Sequence, residues 1–233
     1  KKSSLHRIVE LFVIIAILVV FFGKLFFYDT DGALFLSAYG IVITLSMWVM
    51  FLTSFTFYRD PYEIALEKEK DVQRTNKKDC LVSCMVAVKN EERNISRCID
   101  SILRQTYKNI EIIIVNDAST DKTINILRTY ERKEEVVLID LKTNIGKKRA
   151  LGKAMAIAKG EIFAHTDSDS IWAPDAIEKI VKIFEYFPDV GAVGGHGRAL
   201  NGDKNLLTKV QDSWMEGQFS IRKAFESIFG AVS

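Results

Sequence analysis

The spacing of apolar positions changes abruptly along the chain. Residues 11–22 form an unbroken apolar run, continued past Gly23 and Lys24 by Leu25, Phe26 and Phe27, and residues 32–58 carry no charge. A membrane-spanning helix needs about 20 mostly apolar residues, so both segments read as spans. Lys24 lies near enough to the far end of the first for its stem to reach the interface. Lys1, Lys2 and Arg7 precede the first segment, Arg59, Lys68, Lys70 and Arg74 follow the second, and the short connection holds Asp29 and Asp31. Cationic flanks stay on the cytoplasmic side. The expectation is a two-helix transmembrane hairpin over residues 1–58, with the N-terminus and everything after the second span in the cytoplasm of a multi-pass cell-membrane protein. A signal peptide is the rival reading of the first segment, but the apolar region is long and no small-residue cleavage site follows it. A buried apolar hairpin inside a soluble core is the rival for both, and a domain of this size has little room for one.

Beyond residue 58 the pattern turns polar. Asp60-Pro61-Tyr62-Glu63 has the signature of a helix start, with a capping acid, Pro at the first helical position and Glu at the third. It predicts a charged helical linker over residues 59–78, the helix running to about Arg74. From there short apolar runs alternate with segments of helical periodicity, which predicts an α/β body over residues 79–233 with a mostly parallel sheet. Strands are expected at 81–88, 110–115, 136–141, 161–166 and 190–193. One intervening helix would bury Ile95, Cys98, Ile99, Ile102 and Leu103, and another Ile177, Ile180, Val181 and Phe184. Ser119-Thr120-Asp121 and Ala173-Pro174-Asp175 punctuate helix starts. A last helix is expected at 205–229 with Leu207, Val210, Trp214, Ile221, Phe225 and Ile228 on one stripe, Trp214 serving as a core or interface residue.

Composition narrows the function. The 233 residues are 48% hydrophobic, with 32 Lys+Arg against 30 Asp+Glu and a formal net charge of +2. That balance gives no electrostatic case for nucleic acid as a partner. Cys80, Cys84 and Cys98 are odd in number and match no zinc spacing, so they read as packed thiols in a reducing compartment. The chain begins at Lys1 and stops at Ser233 in mid-pattern, as a fragment of a longer protein would.

Ligands of open α/β sheets bind beyond the carboxyl ends of the strands, and that rule selects the polar residues to weigh. The first four expected strands lead into Lys89-Asn90-Glu91, Asn116-Asp117-Ala118-Ser119, Asn144-Ile145-Gly146-Lys147-Lys148-Arg149 and Asp167-Ser168-Asp169. Asp167 and Asp169 can point to the same side of an extended backbone, and a turn there can aim one at a hard divalent cation such as Mg²⁺ or Mn²⁺, although Asp-x-Asp is also a common turn or cap. Lys147, Lys148 and Arg149 open a helix whose N-terminus already favours an anion, although a solvated basic turn has the same composition. Asp117, Asn90 and Glu91 could accept hydrogen bonds from a base or ribose, or cap helices. His165 and His196 lack metal-ligand spacing and read as structural. There is no P-loop spacing and no G-x-G-x-x-G.

Taken together, Val86-Ala87-Val88-Lys89-Asn90-Glu91, Val115 through Asp121, Asn144-Ile145-Gly146-Lys147 and Asp167-Ser168-Asp169 resemble the family 2 glycosyltransferases of GT-A fold. Within them the chain looks most like the membrane-embedded synthases of hyaluronan, chitin oligosaccharides and poly-N-acetylglucosamine. The two preceding spans and the stretch from Arg198-Ala199-Leu200-Asn201 through Asn205-Leu206-Leu207-Thr208 to Arg222-Lys223-Ala224-Phe225-Glu226-Ser227 carry that finer likeness. The resemblance implies that Ala87, Asn90, Glu91 and Asp117 line a uridine pocket, that Lys147 contacts the diphosphate, that Asp167 lies near the ribose and diphosphate, and that Asp169 holds the divalent metal. The family commonly has Pro and Tyr where this chain has Ala87 and Lys89, and Asp where it has Asn116.

The implied reaction is inverting, metal-dependent transfer of a sugar, N-acetylglucosamine or a related hexose, from a UDP-sugar to a polysaccharide or oligosaccharide acceptor at the lipid bilayer. The general base of such synthases lies downstream of a point matching Ser233, so no catalytic base is assigned within these residues and they are expected to bind donor with little polymerisation. Two other readings remain open. One is a lipid-phosphate monoglycosyltransferase of the dolichyl-phosphate type, whose spans usually follow the catalytic domain. The other is a non-catalytic membrane-anchored nucleotide-binding module.

Overall fold

The computed structural model describes residues 33–71 and 79–228. The first expected span, 11–27, lies outside the described residues. Two compact units emerge, one built from residues before Arg59 together with those after Gly195, the other from Arg59–Gly195.

Helix α1 (Ala33–Phe57) belongs to the first unit, and helix α2 (Pro61–Asp71) opens the second. Asp60 caps α2, its Oδ1 accepting the Tyr62 N–H at 2.8 Å. The parallel sheet contains β1 (Val82–Val88), β2 (Ile110–Asp117), β3 (Val136–Leu141) and β4 (Ile162–Asp167) in the order β3-β2-β1-β4. Between the strands run α3 (Ile95–Leu103), α4 (Thr123–Tyr130) and α5 (Lys147–Met155), and α6 (Ala176–Tyr186) follows β4.

Every residue of β1 is buried, because both faces of the central strand are covered, as is usual in parallel sheets. Val82, Cys84, Val86 and Val88 join Ile112 and Ile114 of β2, Ile95, Cys98, Ile99 and Ile102 of α3, Leu127 of α4, and Ile177 and Val181 of α6 in one core. On the other face Met85, Ala87, Ile113 and Val115 pack on Ala150 and Ala154 of α5. The small alanines let α5 lie close to the sheet.

Gly160 sets where β4 begins. A Cβ there would meet the Ser83 Oγ at 2.5 Å and the Leu81 carbonyl at 2.7 Å, so only glycine fits this approach to β1. The Glu111 carboxylate fastens the same corner, accepting from the Ser83 hydroxyl at 2.5 Å and the Lys159 N–H at 2.6 Å. Helix α2 packs along α6, where Lys182 reaches Glu69 at 2.6 Å and Lys68 sits over the Phe187 ring at 3.9 Å.

The expected strand at 190–193 does not form. Its two valines and one alanine stand among Gly191, Gly194 and Gly195, the segment is half-buried or exposed, and no strand pairing involves it. Two valines cannot offset the backbone entropy that three nearby glycines add to the unpaired state.

In the first unit α1 spans 25 residues, about 38 Å at 1.5 Å per residue, and is the one helix among the described residues long and apolar enough to cross a membrane. The predicted helix at 205–229 is observed as α7 (Leu206–Gly217), a π-helical turn (Gln218–Lys223) and α8 (Ala224–Ile228). Asn205 opens it with a reciprocal cap, its Oδ1 accepting the Thr208 N–H at 2.9 Å while Thr208 Oγ1 accepts the Asn205 N–H at 3.0 Å. The π turn breaks the expected stripe. Ile221, Phe225 and Ile228 are half-buried in segments that pack on α1, whereas Leu207, Val210 and Trp214 are exposed. Trp214 is therefore not a core residue of this structure. All three cysteines are free, buried thiols, as their spacing implied.

Candidate active site

The register of the sheet aligns the strand tips. Ala87 pairs with Val115 on one side and Asp167 on the other, Val88 pairs with Asn116, and Asp117 pairs with Leu141. The polar residues that follow β1, β2, β3 and β4 therefore emerge at one end of the sheet.

Asp117, the last residue of β2, is buried. Its two carboxylate oxygens accept the Ile145 N–H at 2.7 Å and the Gly146 N–H at 2.9 Å. Hydrogen bonds from amides to an ionised acceptor are among the stronger kind, so Asp117 holds the loop that delivers α5. Gly146 has φ +85° and ψ 150°, a region open essentially to glycine alone, and it turns the chain directly into the helix. Lys147 is thereby placed at the first position of α5, where its ammonium pairs with the Asp167 carboxylate. Both side chains are about half exposed, so the pair is open to solvent.

Asp169 is exposed in the turn after β4, a turn closed by the Ser170 N–H on the Asp167 carbonyl at 3.1 Å. Beneath it the Cys98 thiol points at the same Asp167 carbonyl, 3.5 Å away. Burial, followed by the charges of Asp169 and Asp167, pushes this thiol up to about 12. It is a neutral packing group at physiological pH and no nucleophile.

Asn90 and Glu91 look elsewhere. Asn90 lies in left-handed backbone with φ 55°, its N–H donating to Ser119 Oγ at 3.0 Å and its Oδ1 accepting the Thr120 N–H at 2.8 Å. The Glu91 N–H donates to Thr123 Oγ1 at 2.9 Å, and the Glu91 carboxylate accepts from the Asn94 amide at 2.9 Å. These bonds lace the loop after β1 to the loop after β2. Of the residues singled out from the sequence, the structure thus gathers Ala87, Asp117, Lys147 and Asp167 around the sheet end, with Asp169 two residues further on, and ties Asn90 and Glu91 to the neighbouring turn.

Two features were not foreseen. Ala118 also has φ 55°, which costs a non-glycine residue about 1–2 kcal/mol and concentrates at functional sites; alanine carries no signal of it. Asn116 is buried, and its amide donates to Asp140 Oδ1 at 2.8 Å, a pairing that two Asx residues at adjacent strand ends could have suggested. His165 is exposed on β4, and His196 stacks on Phe219 at 5.3 Å with Glu216 3.0 Å from its Nε2.

Among the described residues no three His, Cys, Asp or Glu side chains cluster as a metal cage. Asp167 and Asp169 suit a hard cation that takes one or two carboxylates and completes its shell from a ligand's phosphates and water.

A four-stranded parallel sheet with acids at its carboxyl end and a cationic helix start is an α/β arrangement that fits a GT-A-like fold. Residues 83–228 match the glycosyl transferase family 2 model, and the chain belongs to that family. It is 38% identical over 117 residues to an uncharacterized glycosyltransferase of Haemophilus influenzae, covering 50% of this chain and 36% of that protein. It is 27% identical over 213 residues to a poly-beta-1,6-N-acetyl-D-glucosamine synthase of Staphylococcus aureus, covering 91% of this chain and 48% of that protein. The chain thus spans half or less of the length of these curated relatives. Among solved structures it is similar to S. aureus TarS in complex with UDP-GlcNAc, with TM-score 0.44 and 24% identity over 53% of this chain and 38% of that one. It is also similar to the mannosyltransferase PcManGT from Pyrobaculum calidifontis in complex with GDP-Man and Mn²⁺, with TM-score 0.46 and 23% identity over 68% of this chain and 47% of that one.

Proposed function

We propose that the full-length protein transfers a sugar, N-acetylglucosamine or a related hexose, from a UDP-sugar to a growing polysaccharide, inverting the anomeric carbon. The observation that carries this reading is the lysine at the start of α5, delivered by the loop that Asp117 holds and paired with Asp167 two residues before Asp169. Transfer from a nucleoside diphosphate sugar requires such a site, because the leaving group gains negative charge as the glycosidic bond breaks. Lys147 exchanges Asp167 for the diphosphate when donor binds, and the first-turn N–H groups of α5, which helix geometry leaves without intrahelical partners, would face the same anion. Asp169 would hold a Mn²⁺ or Mg²⁺ ion, which when bound would neutralise charge on the departing diphosphate, with Asp167 beside the ribose and diphosphate. Ala87 and Asp117 line the uridine side of the crevice, and Asn90 and Glu91 shape it through the bonds that tie the loop after β1 to the loop after β2. The attacking hydroxyl needs a base within hydrogen-bond reach, and the family resemblance puts it downstream of Ser233. The relative that aligns along most of this chain is a synthase of a poly-N-acetylglucosamine polymer, which favours that sugar and a polymeric acceptor. Helix α1 anchors the protein in the cell membrane with the catalytic domain in the cytoplasm.

The test is to incubate membranes carrying the full-length protein with Mn²⁺ and a panel of UDP-sugars. We expect polymer from one or two donors, with Asp169→Ala abolishing both synthesis and metal-dependent UDP binding. UDP binding without transfer from any donor would reduce the protein to a binding module, and undiminished metal-dependent binding by Asp169→Ala would remove the metal assignment.

A further inference from the structure

We propose that Asp140 is a positioning residue for the donor site, acting through the Asn116 amide, and that the site requires one amide facing one carboxylate across the ends of β2 and β3. This rests on the proposed transfer from a UDP-sugar. Neither residue touches the donor in that reading; Asn116 precedes Asp117 and pairs with Asp140 in the register of the two strands.

Asn116 is 2% exposed, so its amide needs partners within the protein. Its Nδ2 donates to Asp140 Oδ1 at 2.8 Å, and its Oδ1 accepts the Ser119 N–H at 3.3 Å. An ionised carboxylate only accepts and a backbone N–H only donates, so the two partners demand the same orientation of the amide. Lys142 holds the other carboxylate oxygen of Asp140, Oδ2, at 3.1 Å, which leaves Oδ1 to Asn116.

Two loops depend on this amide. After β2 the chain turns through Ala118, whose φ of 55° a non-glycine residue keeps only where its surroundings impose it. The bond from Asn116 to Ser119 closes that turn from one side. On the other side Asn90, itself at φ 55°, accepts the Thr120 N–H at 2.8 Å while its own N–H donates to Ser119 Oγ at 3.0 Å. The turn therefore carries the loop after β1 with it. Along the other route the chain leaves Asp140 and returns at Ile145 and Gly146, whose N–H groups bind Asp117. Adjacent residues of β2 thus fasten both ends of the segment that delivers Lys147, Asn116 at its start and Asp117 at its finish. Losing the first fastening leaves a buried amide without its acceptor, which costs more than the bond itself, and leaves Asp117 to hold the loop alone.

The test measures UDP binding with Mn²⁺ by calorimetry on the full-length protein in nanodiscs, beside the thermal midpoint by circular dichroism. Asp140→Asn keeps an acceptor for the amide and should bind UDP within about threefold of wild type. Asp140→Ala, which removes the acceptor, and Asn116→Asp, which sets two carboxylates face to face, should each weaken UDP about tenfold or more. The double variant Asn116→Asp with Asp140→Asn exchanges amide and carboxylate while still accepting the Ser119 N–H, and should restore the affinity. If Asn116→Asp fails to fold, the contrast between Asp140→Ala and Asp140→Asn decides. A pair with a structural role alone would lower the midpoint and leave the affinity of folded protein unchanged, and that result overturns the proposal. A double variant that regains the wild-type midpoint without the affinity overturns it too. Wild-type protein that binds no UDP with Mn²⁺ removes the donor-site reading and this proposal together.

Discussion

At the end of β2 one atom decides between attraction and repulsion. The related motif commonly carries Asp where this chain has Asn116, and the structure supplies a reason for the amide: its Nδ2 donates to Asp140 Oδ1 at 2.8 Å across the β2–β3 pair. The Asn116 amide, and then the Lys142 ammonium, hold the Asp140 carboxyl below its ordinary range. Its contribution to stability is therefore complete above pH about 4, where the unfolded carboxyl is also ionised, and is lost as pH falls through the lower folded value. Asn116→Asp reverses the interaction. Two carboxylates would share the gap, one would be pushed upward, and we expect a loss of about 1–3 kcal/mol at pH 7 that is partly recovered at pH 5. Urea denaturation at the two pH values measures it, and an equal midpoint shift at both would show that like-charge repulsion is not the cause.

At the level of elements, the start of α5 depends on a single backbone conformation. Gly146 has open space around the place a Cβ would occupy, yet its φ of +85° is strained for any side chain. Gly146→Ala should therefore cost about 1–3 kcal/mol through the backbone alone and release the two amides that Asp117 holds. We expect weaker UDP binding with a nearly unchanged far-UV spectrum, measured by calorimetry; wild-type affinity would show that the loop reaches its site geometry by another path. The position of this helix was legible beforehand, because glycine followed by three cations after an apolar strand marks an anion-favouring start. The four strands were equally legible from their β-branched runs. The segment 190–193 was misread because two valines satisfy an apolar pattern without offering a strand's worth of side-chain packing. Trp214, expected in a core or an interface, is not in the core: periodicity reveals that one helix face is apolar but not what lies against it, and the π turn rotated the stripe out of line. The left-handed Ala118 and the seat of Cys98 under Asp167 arise from how loops cross between neighbouring strands, which no local pattern encodes.

At the scale of the molecule, the described cores divide cleanly. Every member of the two apolar clusters, from Cys80 to Val181, lies within Arg59–Gly195, and so do all the residues assigned to the donor site. The other unit is built around α1, which carries no charged residue and whose large exposed side chains, such as Val42, Leu45 and Phe57, are apolar. Hydrophobic burial is the main favourable term in folding, so a unit that owns its whole core should retain most of its stability when separated. We expect residues 59–195, expressed alone, to be monomeric without detergent and to unfold in urea in one cooperative step, with the m-value of a domain of about 140 residues. They should also bind UDP in a metal-dependent way while making no polymer, since the proposed reading puts the acceptor side and the base outside them. A broad, non-cooperative transition would mean that the sheet leans on the membrane-side unit for its packing. A cooperative fold without UDP binding would locate part of the donor site beyond Gly195.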